Sequence, residues 1–520
     1  MHNLEKSFCL KNEIPELGIS SSERLQNLLA YRNDRKLFRR KCDQSKDTLI
    51  GAYHPDSDFK IISSQLWWGD SWDGLEFGFV PEFDTCFFEQ FFKLQKLVPR
   101  EGTSVVSSEN CNYNSHTRES KNCYLCHLAF RSEDLHYCFW STLSNNLVDC
   151  SYSRESSFCY DCTNITNCYQ SAHIEECSNC SDCYFSYQLT NCKNCILCSN
   201  LNHKEFYYLN QPCSEREYKN KLAEIMSQKT AYEFAVQKLS EIQKKSVIKA
   251  SHTINCENVS GEHLNNCSNC WYCFDLVNSQ DCYNSTNGGG KDLIHTYSAG
   301  FPECEEVYCS LTLRSCSRIY FSNNCWSSHN MWYCDSCVNC KDCFGSVGLK
   351  HREFCFFNKQ YTQQEYTDLV VRFKKKMLVD KTLGMFFPIK FSPFAYNESA
   401  AQDFFPLSKK ETNELGYRWR DPLQILSAAE TKSEGVKKCR DCSAKFKYTN
   451  SELQFYKTFN LFEPITCPDC RIFERIQRRN SYNLLQRSCS NCKIRIETAY
   501  DEEKRPLMYC EECYRQEFLA

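Results

Sequence analysis

Residues 167–198 read NCYQSAHIEECSNCSDCYFSYQLTNCKNCILC, and every cysteine among them stands at a position divisible by three. The rule holds for all fifteen cysteines from Cys111 to Cys213. Other positions of the same phase are mostly small or aliphatic (Ala129, Leu135, Ser141, Leu147, Ser156, Ile165, Ile174, Leu189), while the remaining two phases carry Asn, Asp, Glu, Lys, Tyr and Phe. One residue in three therefore points inward. A helix repeats every 3.6 residues and a strand every two, so neither gives this period. A narrow parallel β-solenoid of short strands and tight turns does. Steps of nine and six residues (Cys168, Cys177, Cys183, Cys192, Cys198) suggest a coil of fifteen. Buried thiols act there as small apolar filler, and the Asn or Asp before many of them supplies turn chemistry.

Working outward, the pattern occurs twice. At an offset of 148, NCKNCILCSNLNHKEFYYLN (191–210) meets NCKDCFGSVGLKHREFCFFN (339–358). Ser214-x-x-Glu217 and Thr362-x-x-Glu365 are capping boxes, each opening a helix after its solenoid; the first is expected to run to about Val247. The fold class is thus mixed and mainly β: two Cys-lined parallel β-solenoids with flanking helices, plus metal-ribbon modules at the ends. The domains expected are 1–105, a module with a Trp-rich segment (Trp67, Trp68, Trp72); 106–250 and 251–385, each a solenoid with its helix; 386–430, a connector; and 431–520, a double four-cysteine module. GGGK at 288–291 lacks the spacing of a phosphate-binding loop and reads as an ordinary loop.

The carboxy-terminal cysteines come only as pairs: Cys439/Cys442, Cys467/Cys470, Cys489/Cys492 and Cys510/Cys513. Eight thiolates suffice for two closed tetrahedral sites, so two structural Zn2+ ions are expected. The triads within the solenoids raise an iron–sulfur or redox alternative, but their spacing belongs to the three-residue register.

The two ends of the chain are also related. At an offset of 447, Arg32-Asn33, Leu37, Arg40, Cys42, Lys46 and Ala52-Tyr53 meet Arg479-Asn480, Leu484, Arg487, Cys489, Lys493 and Ala499-Tyr500. Ser45, Ser63 and Leu66 stand where the other copy has Cys492, Cys510 and Cys513. The amino-terminal module reads as a ribbon that has lost its ligands and kept a basic Arg-Asn helix.

Residues 437–471, KKCRDCSAKFKYTNSELQFYKTFNLFEPITCPDCR, carry Cys439, Cys442, Phe446, Phe455-Tyr456, Pro464, Cys467, Cys470 and Arg471. In these they resemble the zinc-ribbon domain family. With RNDRKLFRRKCD, WWGDSWD and AYNESAAQDFFPLSKKE, nearly the whole chain resembles uncharacterised bacterial Cys-rich zinc-ribbon proteins. That resemblance implies zinc and no activity.

Composition bounds the rest. The net charge is −3 over 520 residues, so a basic surface must be local. No metalloprotease, nucleophile-elbow or nucleotide-loop motif is present, which argues against an enzyme. Forty cysteines without an apolar leader or an eighteen-residue apolar run point to a reducing cytoplasm and no membrane. Arg471, Arg475, Arg478, Arg479 and Arg487, with Arg32, Arg35, Arg39 and Arg40 of the amino-terminal copy, are the candidate phosphate contacts of a scaffold that binds RNA more than DNA. The alternative is a scaffold that binds another protein.

Overall fold

The computed structural model describes residues 2–111, 113–300, 303–421 and 435–518. The junction at 422–434, where the connector should end and the cysteine-pair module begin, lies outside the described residues. The chain is mainly β, with two large sheets of almost wholly parallel strands, and twelve α-helices among the described residues. No helix among them is long and apolar enough to cross a membrane.

The first sheet holds fifteen strands, from Val105–Val106 to Gln211–Pro212. Its register corrects the coil length. Asn145 pairs with Ser157 and with Glu133, Ser151 with Thr163, and Ala172 with Tyr184, so the chain meets itself every twelve residues and not every fifteen. Twelve residues are four sides of three, and each side contributes one inward residue. The interior is then four columns, such as Ser120-Ser132-Ser144-Ser156-Cys168. Period three is the signature of a four-cornered turn.

The corners explain the outward residues. Position after position one step before the inward residue lies in the left-handed region, with φ +52° at Asn167, +52° at Asn179, +52° at Asn191 and +53° at His203. An ordinary L residue loses roughly 1–2 kcal/mol there. Asn and Asp tolerate it best, and at these corners they also bond to the next turn. Asn167 donates to Asn179 at 2.8 Å and Asn179 to Asn191 at 3.0 Å, and Asn191 meets the His203 ring at 3.1 Å.

Inside, most thiols lie against carbonyls of their own and the next turn: Cys168 Sγ is 3.5 Å from both Thr166 O and Cys177 O. Serine in the same column uses its hydroxyl twice. Ser156 donates to Arg154 O at 2.8 Å and accepts the Cys168 N–H at 3.1 Å. The aliphatic and thiol side chains of the interior form one buried cluster.

The second sheet, eleven strands from Thr253–Ile254 to Lys359–Gln360, repeats this with faults. Tyr283 pairs with Ile294, an eleven-residue turn, and Gly290 with Cys304, a fourteen-residue turn, before twelve resumes at Glu305↔Ser317. Residues 288–291, read from sequence as a loop, are instead the junction of strands Tyr283–Gly288 and Gly290–Ala299. A Cβ on Gly290 (φ +143°) would sit 2.1 Å from Cys304 O, so the irregular turns need glycine.

Both capping boxes form, at Ser214/Glu217 and Thr362/Glu365. The first helix is broken at Gln228 into Glu215–Ser227 and Lys229–Lys245. In the amino-terminal module the basic stretch is not helical beyond Leu29: a helix Ser21–Leu29 is followed by a loop and the strand Phe38–Lys41. Trp67 is buried, with the Lys350 ammonium 4.6 Å from its ring centre.

Candidate functional site

The first cysteine pair of each quartet sits on a turn built from the same hydrogen bonds, while the second pair opens a helix, Pro468–Arg478 or Glu511–Phe518. Cys439 N donates to Ala444 O (2.8 Å) and Ser443 N to Cys439 O (3.1 Å); Cys489 N donates to Ile494 O (2.9 Å) and Lys493 N to Cys489 O (3.0 Å). Ser443 and Lys493 are left-handed, at φ +62° and +64°. The second pair aims N–H groups at the sulfur of the first: Cys467 N lies 3.2 Å from Cys439 Sγ, and Cys510 N 3.4 Å from Cys489 Sγ. Burial opposes ionisation of Cys439 and Cys489, yet the surrounding backbone N–H groups bring both thiols down to about 6.

The two cysteine quartets converge as the spacing predicts. Cys439, Cys442, Cys467 and Cys470 form one cluster and Cys489, Cys492, Cys510 and Cys513 the other, so neighbouring pairs combine without interleaving. Cross-pair sulfur separations are 3.9 Å (Cys439–Cys470), 3.6 Å (Cys442–Cys467) and 3.7 Å (Cys492–Cys510). A tetrahedron with metal–sulfur bonds of about 2.3 Å has edges of about 3.8 Å, so the donors fit such an ion. Both clusters could hold a metal. With four protein donors each, neither has a position left for substrate.

The amino-terminal hairpin keeps the turn without the ligands. Phe38 pairs with Gly51 and Lys41 with Thr48, as Leu485 pairs with Thr498 and Ser488 with Arg495, the same register at the offset of 447. Cys42 N donates to Asp47 O (2.8 Å), and Lys46 is left-handed at φ +65°. Lys46 Nζ reaches Asp43 O at 2.7 Å as Lys493 Nζ reaches Ser490 O at 2.8 Å.

No family model and no curated protein matches the chain. Its resemblance to zinc ribbons therefore rests on the residues quoted above, and the arrangement around the clusters must speak for function.

That arrangement places the nine candidate arginines. The helix Pro468–Arg478 lies along the first sheet with its basic face inward. Arg471 pairs with Asp149 (2.9 Å) and Glu452 (3.3 Å). Arg475, 1 % exposed, donates to Asp149 and Ser151 at 3.0 Å each and to Tyr137 O at 2.7 Å. Arg478 takes Asp161 at 3.1 Å, and Arg479 takes Asp275 of the second sheet at 2.5 Å while lying 3.5 Å over the Tyr152 ring. Asp149, Asp161 and Asp275 are all left-handed corner residues. The spacing is commensurate: three helical residues rise about 4.5 Å, and one turn of the sheet advances about 4.8 Å. Arg475 and Arg478 thus fall on corners twelve residues apart.

The amino-terminal set, Arg39 apart, is equally engaged. Arg32 holds Asp34 (2.5 Å) and Thr312 (2.7 Å); Arg35 holds Asp403 (2.7 Å) and Asp469. Arg40 donates to His54 O (3.1 Å) and Asp43 (3.0 Å). Arg487 donates to Tyr500 O (3.1 Å), Arg505 O (2.9 Å) and Pro506 O (3.1 Å). Of the nine, Arg39 alone is exposed and without an ion pair among the described residues. Arg32, Arg35, Arg471, Arg475, Arg478 and Arg479 thereby join segments far apart in the chain, whereas Arg40 and Arg487 bond within their own. A run of cations in sequence does not show that its carboxylates come from corners hundreds of residues away.

Sequence reasoning missed a cleft of about 460 Å³ between the two sheets. Trp140, Phe130 and Trp326 give it aromatic walls, and Arg118, Arg131 and Arg314 reach its lining. Glu119 pairs with Arg118 (2.9 Å) and Arg131 (2.8 Å), whereas Arg314 has no carboxylate partner among the described residues. Trp140 lies parallel to Tyr152 (6.2 Å between centres) and Trp326 nearly so to Trp68 (5.6 Å). Each of these residues is unremarkable in its own coil; the cleft exists only once the two sheets face each other. Nearby, Ser115 and His127 make a 2.8 Å hydroxyl–imidazole contact, but both are buried and the hydroxyl is turned to the Asp34 carbonyl, so the pair reads as structural.

Proposed function

We propose that this protein is a non-enzymatic binding scaffold: two parallel β-solenoids held in fixed relation by two zinc-bound ribbons and one ribbon without ligands, with the inter-solenoid cleft as its binding site. Zinc is the ion that best suits four thiolates in a closed tetrahedron. The cleft carries the reading of the ligand. Its volume falls in the range of small-ligand sites, its aromatic walls suit a planar ring, and its arginine excess suits an anion. Nucleotides and the unpaired bases of single-stranded RNA combine both features. The nucleic-acid reading drawn from the sequence thus moves from the ribbon arginines, which apart from Arg39 are engaged internally, to Arg314 and its neighbours.

The test is quenching of tryptophan fluorescence by a mononucleotide and by a short single-stranded RNA at low salt. Wild type should be quenched saturably, and Trp140→Ala with Arg314→Gln should weaken binding at least tenfold while zinc content persists. Saturable binding that survives both substitutions would place the ligand elsewhere. No quenching by either probe would leave the protein-scaffold alternative in its stead.

A further inference from the structure

A third group of metal-type donors lies where the two sheets meet the last ribbon. Glu176 belongs to strand Ala172–Ser178 of the first sheet. His263 is a left-handed corner (φ +54°) between strands Glu257–Glu262 and Leu264–Gln280 of the second. His252 follows strand Ile248–Lys249, which pairs in parallel with Met508–Tyr509 of the last ribbon. One donor atom from each of Glu176, His252 and His263 falls within 4.8 Å of the other two.

Their surroundings are prepared in detail. Glu262 Oε1 sits 2.6 Å from His252 Nδ1, 3.6 Å from His263 Nδ1 and 2.7 Å from Tyr500 Oη. Glu176 Oε2 lies 3.2 Å from His263 Nε2, and the imidazoles stack at 5.4 Å. Two polar atoms remain unsatisfied beside them: His263 Nδ1 and the hydroxyl of the fully buried Tyr187. Buried polar groups are normally paired, so an unpartnered imidazole nitrogen inside this cluster marks a donor site the protein itself leaves unfilled.

We infer that Glu176, His252 and His263 form a third metal site, for a divalent first-row transition ion, that ties both solenoids to the last ribbon. Nitrogen donors select such ions over magnesium or calcium. The donors lie within 4.8 Å of one another, with Glu176 Oε2 and His263 Nε2 at 3.2 Å, against an edge of about 3.3 Å for a nitrogen–oxygen tetrahedron. Glu262, held by Tyr500, is the outer carboxylate that orients His252. The site differs in kind from the four-thiolate clusters. It has three protein ligands, which leaves a coordination position open, and the His252 side chain is 29 % exposed.

The experiment reconstitutes the reduced full chain with zinc and with cobalt, in wild type and in Glu176→Gln/His263→Gln. Wild type should bind one ion per chain more than the variant. The cobalt difference spectrum between them should contain weak ligand-field bands without sulfur charge-transfer bands, because the thiolate sites are common to both. Retention of those sulfur bands by the variant shows that its ribbons are folded. Equal stoichiometry in the two proteins overturns the inference, as does a wild type that saturates at the thiolate sites alone. If the double variant loses its sulfur bands, Glu176→Gln alone decides by the same count.

Discussion

Replacing Arg475 by Gln isolates the clamp. The guanidinium is 1 % exposed and makes three hydrogen bonds, to Asp149, Ser151 and the Tyr137 carbonyl. Glutamine is too short to reach all three, and it removes one of the two cations facing Asp149, itself 1 % exposed. Breaking a buried ion pair in this way costs about 3–5 kcal/mol. Arg471 remains beside Asp149, which puts the expected loss at the lower end, about 3 kcal/mol. Arg39→Gln, on an exposed cation of the same candidate set, should stay within about 0.5 kcal/mol. Equilibrium urea unfolding followed by circular dichroism gives both values, and a metal-release assay reports whether the first cysteine quartet loosens with the sheet. The reasoning is refuted if Arg475→Gln is as stable as wild type but loses RNA retention with a shallower salt dependence, for then the side chain faces phosphate and not Asp149.

Other outcomes follow from the same geometry. Chelation should release both thiolate-bound ions and melt the two cysteine-pair modules while the parallel sheets keep their circular dichroism, since site formation and folding are coupled; full unfolding of the sheets would contradict this. Cys168→Ser should cost less than about 1 kcal/mol, because the hydroxyl can donate to Thr166 O as Ser156 does to Arg154 O. Asn179→Ile should cost about 2 kcal/mol or more in urea unfolding, the left-handed corner accounting for roughly 1–2 kcal/mol and the lost Asn ladder for the rest; the opposite order would sink the four-cornered turn. Glu101 is pushed up to about 7 by burial, against hydrogen bonds from Ser64 and Trp68 and the charge of Lys350. Its folded value lies above the ordinary 4.5, so its stabilising share is complete below pH 4.5 and is lost as pH rises through 7. Glu101→Gln should flatten that part of the stability curve, and an unchanged slope would acquit Glu101.

The inward register and the cysteine quartets were legible because each is a local constraint written at fixed spacing. Coil length was not. Cysteine and serine are interchangeable inside, so the columns are blurred, and the step from Cys168 to Cys177 and on to Cys183 crosses columns instead of following one. The eleven- and fourteen-residue turns near Gly290 shift the phase for a reason visible only in the backbone contacts. The arginine run misled in the same way. Charge pattern shows that a helix face is cationic, while whether it meets solvent or Asp149, Asp161 and Asp275 is decided by tertiary contacts. The cleft and the His252–His263 cluster each join segments from both sheets, which no single stretch announces.

The match between three helical residues and one turn of the sheet makes the Pro468–Arg478 helix a gauge of how many turns the first sheet holds. Excising residues 150–161 would leave a seamless twelve-residue period, yet Arg478 would then confront His173 where Asp161 had been. Gain or loss of a whole turn is therefore silent in the wall and audible at the helix: between Tyr137 and His173 the number of turns is read by a segment about three hundred residues downstream.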